Sequence, residues 1–477
     1  MGFVEFKGAR DFIVQRRKDL RFDRLAIPRK KDLVFGTAMH PVKTGRGLMI
    51  GNGLVYPELN FTLSAVQIND NTLPQITEQY KSIITEAIER AIHLESNGVV
   101  FEFETLMEMT LKPEIGVELV KVMNDICEDY YQRKGFKSEI RLTPNDIRDF
   151  ERPPKMRTSP YLANMLELFE RGAESGGDLL SIESTGGKEV FDEAVMMCDI
   201  RQVMFSLIVL GVRDMRFLWE KIVAIAQSQN KIPAGDTACG FANTAMMLAD
   251  KSYIPKVFAS VVRIITIVRT LVALEMGATG PDKDCGYEGP FLKAITGTPI
   301  SMEGKTAACA HLSPVGNVAA ACADLWSNES VQNLKLLGGM APTVYLEQLE
   351  YDVRLFNAAI RSGEEKVLDL QALLVESDIH YDPQALILAP ESVIAISEEV
   401  VKGKTYLQAA INGSLKGLEI IEEAVKNKEL KLEEREKAWI NRIREELSTM
   451  PIQEDKFIES VLPMIEEGKF IPEEYGL

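Results

Sequence analysis

The sequence predicts an α/β protein built on a (β/α)8 barrel of the TIM type, extended by an α-helical C-terminal region. Three observations carry this reading. Short β-rich runs alternate with longer helical patterns from about residue 33 to about residue 330, which argues for a parallel sheet. Eight such runs favour a closed barrel over an open sheet. No G-x-G-x-x-G motif follows a strand, so a dinucleotide-binding sheet lacks its signature.

The predicted strands are residues 33–38, 99–104, 139–143, 179–184, 202–210, 231–236, a weak one near 278–280, and 299–303. Each is a short apolar or β-branched run between turn residues. Helical periods fill the gaps, as at 73–96, 113–134, 160–176 and 188–199. Residues 39–73 form a long glycine-rich connection containing GRGLMIGNGLVYPELNF. Such an insertion either covers a catalytic end or forms a surface hairpin. After Asn328 the strand signals fade into helices at 331–338, 342–363, 363–377 and 390–468, with 430–446 a solvated, salt-bridge-rich helix. The expected division is an N-terminal arm (1–32), a barrel (33–330) and the helical region (331–477).

Of 477 residues, 71 are Asp or Glu against 54 Lys or Arg, a formal net charge of −17. That balance argues against nucleic acid, because nothing concentrates enough cations to neutralise phosphates. The first 32 residues are locally basic, with Arg16, Arg17, Lys18, Lys30 and Lys31, but lack an apolar targeting core. The most apolar stretch, 257–278, carries Arg263, Arg269 and Glu275 and reads as a buried or interface helix rather than a membrane span. A cytoplasmic location is the expectation. Six cysteines imply no disulfide framework, and four histidines are too few for a histidine-rich metal site.

In a (β/α)8 barrel the reactive groups sit at the C-terminal strand ends. Three loops there draw attention. LLSIESTGGKEV ends the fourth predicted strand on Glu183, IPAGDTACGFANTAMMLAD places Cys239 after the sixth, and GATGPDKDCGYEGP places Cys285 after the seventh. Both cysteines lie among Gly, Asp, Thr and Pro, the wrong setting for a core thiol. Two thiolates and a carboxylate suit Zn2+ with an open fourth position. The residues alone leave another reading open, two inert loop cysteines and a strand-end glutamate. Cys309 and His311 form a C-x-H pair beyond the eighth predicted strand, as ligands or pocket walls. Cys127, Cys198 and Cys322 read as core. Glu102 and Glu104 share one strand face. Asp236 and Asn243 are candidates to orient Cys239, while Asp282, Asp284, Tyr287 and Glu288 surround Cys285.

The motifs GDTACGFANTAMMLAD and GPDKDCGYEGP, with the shorter SIES, resemble those of the zinc-dependent methanol–corrinoid methyltransferases, the MtaB family. The resemblance covers most of the chain, from GTAMHPVKTGRGLMIGNG onward. It implies a barrel with one zinc ion on Glu183, Cys239 and Cys285. It also implies methyl transfer from methanol to Co(I) of a corrinoid protein partner, giving methyl-Co(III), in methanogenesis or acetogenesis. A homodimer within a hetero-oligomer is expected by the same analogy, with helix 257–273 as a possible interface. Three alternatives stand beside it: the same chemistry on a methoxylated aromatic donor, a zinc hydrolase, and a non-enzymatic scaffold.

Overall fold

The computed structural model describes residues 22–62, 67–69, 71–331 and 334–477. Most of the expected N-terminal arm therefore lies outside the described residues. The order begins with an antiparallel hairpin, β1 (Thr37–Lys43) and β2 (Met49–Asn52). Seven parallel strands follow: β3 (Tyr56–Thr62), β4 (Val99–Glu104), β5 (Ser138–Thr143), β6 (Leu179–Ile182), β7 (Ile232–Asp236), β8 (Ser301–Glu303) and β9 (Leu325–Val331). They form one sheet in the order β7-β6-β5-β4-β3-β9-β8. Beyond β7 the extended backbone continues the pairing, with Thr279 N–H donating to Pro233 O at 2.8 Å and Gly280 N–H to Ala234 O at 2.9 Å.

Four expected elements are corrected. The first sheet strand is 56–62 and not 33–38. YPELNF turns polar Glu58 and Asn60 to one face, so it reads as loop, while 33–38 leads into β1 instead. Residues 202–210 are helical: Ile200–Met204 passes into a π-helical stretch, Phe205–Gly211, and on into Val212–Ser228. Asp199 caps it, accepting from the N–H groups of Arg201 and Gln202 at 3.0 Å. A continuous apolar run does not distinguish a buried helix from a buried strand. Strand β9 extends past Asn328, and the expected helix 331–338 gives way to a short hairpin, Lys335–Leu336 with Gly339–Met340.

The two sheet faces have different chemistry. Val99, Phe101, Phe103, Ile140, Leu142, Ile182 and Met302 face the surrounding helices. On the enclosed face, residues near the starts of the strands, Tyr56, Val100, Leu179, Ala234 and Leu325, close around Leu48 and Ile50 of the hairpin. The glycine-rich connection thus forms the floor, at the end opposite the predicted site. Thr44 and Arg46 complete it by bonding to buried Glu139 at the foot of β5. One step up, Arg141 donates from Nε to Glu58 Oε1 at 2.5 Å, and from Nη1 to Ser181 Oγ (2.7 Å) and Pro281 O (2.9 Å). Ser301 donates to the same Glu58. Both charges are fully buried. Alternation then carries Glu104, Glu183, Glu303 and Glu329 to the C-terminal rim.

The later helices pack against the same core. Asn357 of Ala341–Ser362 brackets Val55, bonding its N–H and its carbonyl at 2.9 and 3.0 Å. Helix Lys256–Met276 is long and apolar enough to cross a membrane, yet its whole apolar window is buried inside the fold. Helix Tyr406–Lys426 covers it. At Gly413 and Gly417 an added Cβ would come within 3.3 and 2.2 Å of Ile264, so glycine permits the approach. The chain's own helices therefore occupy the face expected to supply an interface.

Candidate metal centre

Glu183 stands one residue beyond β6. Cys239 opens helix Cys239–Asp250 after β7, and Cys285 lies in the single turn Asp284–Gly286. The fold brings one ligand atom of each to within 4.8 Å of the others. Cys285 Sγ donates to Glu183 Oε1 at 2.8 Å. Cys285 is buried and Cys239 half-buried, so the cluster meets solvent on the Cys239 and Glu183 side.

Hydrogen bonds fix these positions. Asp236, at the end of β7, accepts from Ser184 Oγ (2.8 Å), Trp219 Nε1 (2.7 Å) and Thr237 N–H (2.8 Å). It thereby ties the loop after Glu183 to the loop before Cys239. Burial lifts its carboxyl to about 6 against the pull of Arg269 and these donors. Glu288 accepts from Ala238 N–H at 2.7 Å and from Thr270 Oγ1 at 2.8 Å, fixing the start of the Cys239 helix. Asn243, one turn into that helix, donates to Cys239 Sγ at 3.3 Å and to Cys285 O at 2.7 Å.

The two thiols are held neutral. Cys285 hydrogen-bonds to Cys239 and lowers its pKa, but burial and the adjacent Glu183 and Glu303 outweigh this and leave Cys239 at about 12. Burial pushes Cys285 well up. A bound dication would reverse this, since thiolate is the ligating form and binding releases the protons.

Sequence reasoning missed Lys283. Its buried Nζ lies 2.9 Å from Asp284 Oδ1, 3.1 Å from Glu102 Oε1, 3.3 Å from Glu183 Oε1 and 3.9 Å from both Glu104 Oε2 and Cys285 Sγ. Burial alone would favour the neutral amine; Asp284, Cys285, Glu102 and Glu104 outweigh it and hold the proton. The signal was present as a lysine two residues before Cys285 in GPDKDCG, where only the cysteine and its flanking aspartates were weighed. Asp282 accepts from Ser301 N–H at 3.0 Å, a structural tie.

A second cluster adjoins the first. His311 Nδ1 lies 3.3 Å from Glu303 Oε2, and Nε2 lies 2.9 Å from Glu329 Oε2. Tyr287 donates to Glu303 at 3.1 Å. Cys309 is exposed and stands outside these groups, so the C-x-H pair is not brought together as ligands. Cys127, Cys198 and Cys322 are buried, as expected for core thiols. Glu303 closes the predicted strand 299–303 but was not singled out as a site residue, and Glu329 was missed because LWSNESV carries too few apolar residues to read as a strand.

The hydrogen bond to Glu303, then that to Glu329, raises His311 to about 10, from an unfolded value of about 6.5. The folded pKa lies above the unfolded one. The stabilisation is therefore complete below pH about 6.5 and fades as pH rises towards 10. The melting-temperature gap between wild type and His311→Gln should shrink across that window. A gap constant from pH 6 to 10 would show that the imidazolium adds no stability.

The model of the methanol-cobalamin methyltransferase B subunit family matches residues 19–476. The methanol–corrinoid protein co-methyltransferase of Methanosarcina barkeri (strain Fusaro / DSM 804) is 37% identical over 462 residues, spanning 96% of this chain and 99% of its own. A chain in the crystal structure of the methanol:cobalamin methyltransferase complex MtaBC from Methanosarcina barkeri superposes with a TM-score of 0.90 at 35% identity, covering 96% of this chain and 99% of that one. Since the family match, the relative and the superposed structure each span nearly the whole length, the chain belongs to the methanol-cobalamin methyltransferase B subunit family.

Proposed function

We propose that this chain transfers the methyl group of methanol to Co(I) of a corrinoid carried by a separate protein, giving methyl-Co(III), with one zinc ion held by Glu183, Cys239 and Cys285. The observation that carries the reading is the convergence of two thiols and a carboxylate from three strand ends on one point. That donor set fits zinc with an open coordination position. Zinc bound there supplies Lewis acidity towards the hydroxyl oxygen of methanol.

The chain's own residues do the rest. Asp236, Glu288 and Asn243 hold the ligand loops in register before any metal arrives. Asn60, Glu104, Glu183, Glu329 and His311 give the rim a polar lining, with Asn60 Nδ2 donating to Glu104 at 3.2 Å. Such a lining favours a small hydroxylic donor over a phenyl ether. The corrinoid-protein partner follows the complex described for the Methanosarcina barkeri relative.

The finer architecture belongs to the same reading. Residues 278–282 take the eighth place in the ring beside β7, making a (β/α)8 barrel followed by a helical extension that opens with Ala341–Ser362. We read the assembly as a cytoplasmic homodimer within a hetero-oligomer.

The test is formation of methylcobalamin from cob(I)alamin and methanol, followed by cobalt absorbance. One zinc per chain, and activity lost on chelation and restored by zinc, are the expected results. Transfer from a methoxylated aromatic but not from methanol would replace the donor. Neither zinc nor transfer from any donor would overturn the proposal.

A further inference from the structure

Two thiolates and a carboxylate around a dication leave a net negative site, and Glu102, Glu104, Asp284 and Glu303 add further acid around it. Excess ligand charge weakens a Lewis acid, which is the opposite of what a poor leaving group requires. The fold places one ammonium against this cluster. Lys283 is about 1% exposed, and its Nζ lies within 4 Å of four carboxylates and of Cys285 Sγ. An ammonium has three donors, so these five acceptors leave none for solvent. Two of the five are the proposed ligands Glu183 and Cys285.

We infer that Lys283 is a positioning residue for methyl transfer, drawing electron density from Glu183 and Cys285 so that the ion they hold stays electrophilic. The inference rests on the metal site proposed above. A cation at 3.3 Å from a ligating carboxylate and 3.9 Å from a ligating sulfur makes both poorer donors. Without it the sulfur becomes more electron-rich and easier to oxidise. Lys283 touches neither methanol nor cobalt in this account; it acts through the ligands.

The experiment uses the full chain loaded with Co2+ in place of zinc, whose sulfur-to-metal charge-transfer band reports ligand electron density directly. In Lys283→Met the band should move to longer wavelength. In the zinc-loaded form kcat should fall about tenfold to a hundredfold, with KM for methanol held within about threefold. Lys283→Arg, which keeps the charge, should restore most of both. If Lys283→Met does not fold, Glu102→Gln/Lys283→Met removes the buried partner charge as well and carries the same expectation. An unmoved band overturns the inference, whether kcat falls or not, because loss of activity alone is then a packing effect. A moved band with unchanged kcat overturns it too. Failure of the wild type to bind Co2+ overturns the metal site, and this inference with it, before any variant is made.

Discussion

Cys239→Ala is expected to fold normally, to lose stoichiometric zinc, and to lose methyl transfer from methanol by about a thousandfold. The size follows from the role. Lewis-acid stabilisation of a developing oxyanion contributes several kcal/mol, and about 4 kcal/mol is about a thousandfold in rate. Retention of the fold follows from the local structure. Cys239 is the first residue of its helix and only half-buried, and its sulfur accepts a hydrogen bond from Asn243. Alanine keeps the Cβ and favours the helix. Asp236 and Glu288 still hold the loop. The melting temperature should therefore stay within about 3 °C of wild type. Zinc content, thermal melting and methylcobalamin formation on one preparation decide the matter. A variant that unfolds points to a structural ion, and one that keeps both zinc and activity removes Cys239 from the site.

The second large effect concerns stability. Arg141→Met leaves Glu58 charged and buried inside the ring of strands, with the serine hydroxyl of Ser301 against it. Removing one member of a fully buried ion pair costs about 3–5 kcal/mol, because the other charge is left uncompensated. Chemical denaturation should show a loss of that order. Glu58→Gln/Arg141→Met should recover much of it, since a neutral pair carries no buried charge. A single variant as stable as wild type would show that the buried pair adds no net stability. Arg141 joins β3, β6 and the 278–282 segment, so the loss should also loosen the floor of the metal site.

The candidate site was more legible than the scaffold that holds it. Glu183, Cys239 and Cys285 were visible because polar, glycine-rich surroundings are abnormal for a cysteine and because a lone carboxylate closing an apolar strand is conspicuous. Glu102 and Glu104 were rightly assigned to a common face, since strand alternation is a local property. What stayed hidden depended on distant partners. Lys283 looks like any loop lysine until Glu102, from a strand about 180 residues earlier, arrives at its ammonium. Strand β3 was missed because its enclosed face carries Glu58 and Asn60, and a strand whose inner side is polar loses the apolar signature. The 202–210 helix was misread for the converse reason: wholly buried, it has no polar stripe to reveal its period. The floor hairpin kept its role concealed because turn chemistry gives a hairpin but not which end of a barrel it meets.

That floor governs traffic. Leu48 and Ile50, wedged among the strand feet, fill the interior at that end. Methanol, the partner's corrinoid and the departing water must all share the rim where Glu183 and Cys239 lie. A large partner docked at that rim would cover the route of the alcohol, so the proposed site expects the small molecule to bind before the partner. A shared entrance imposes a queue: turnover becomes a matter of who stands at it.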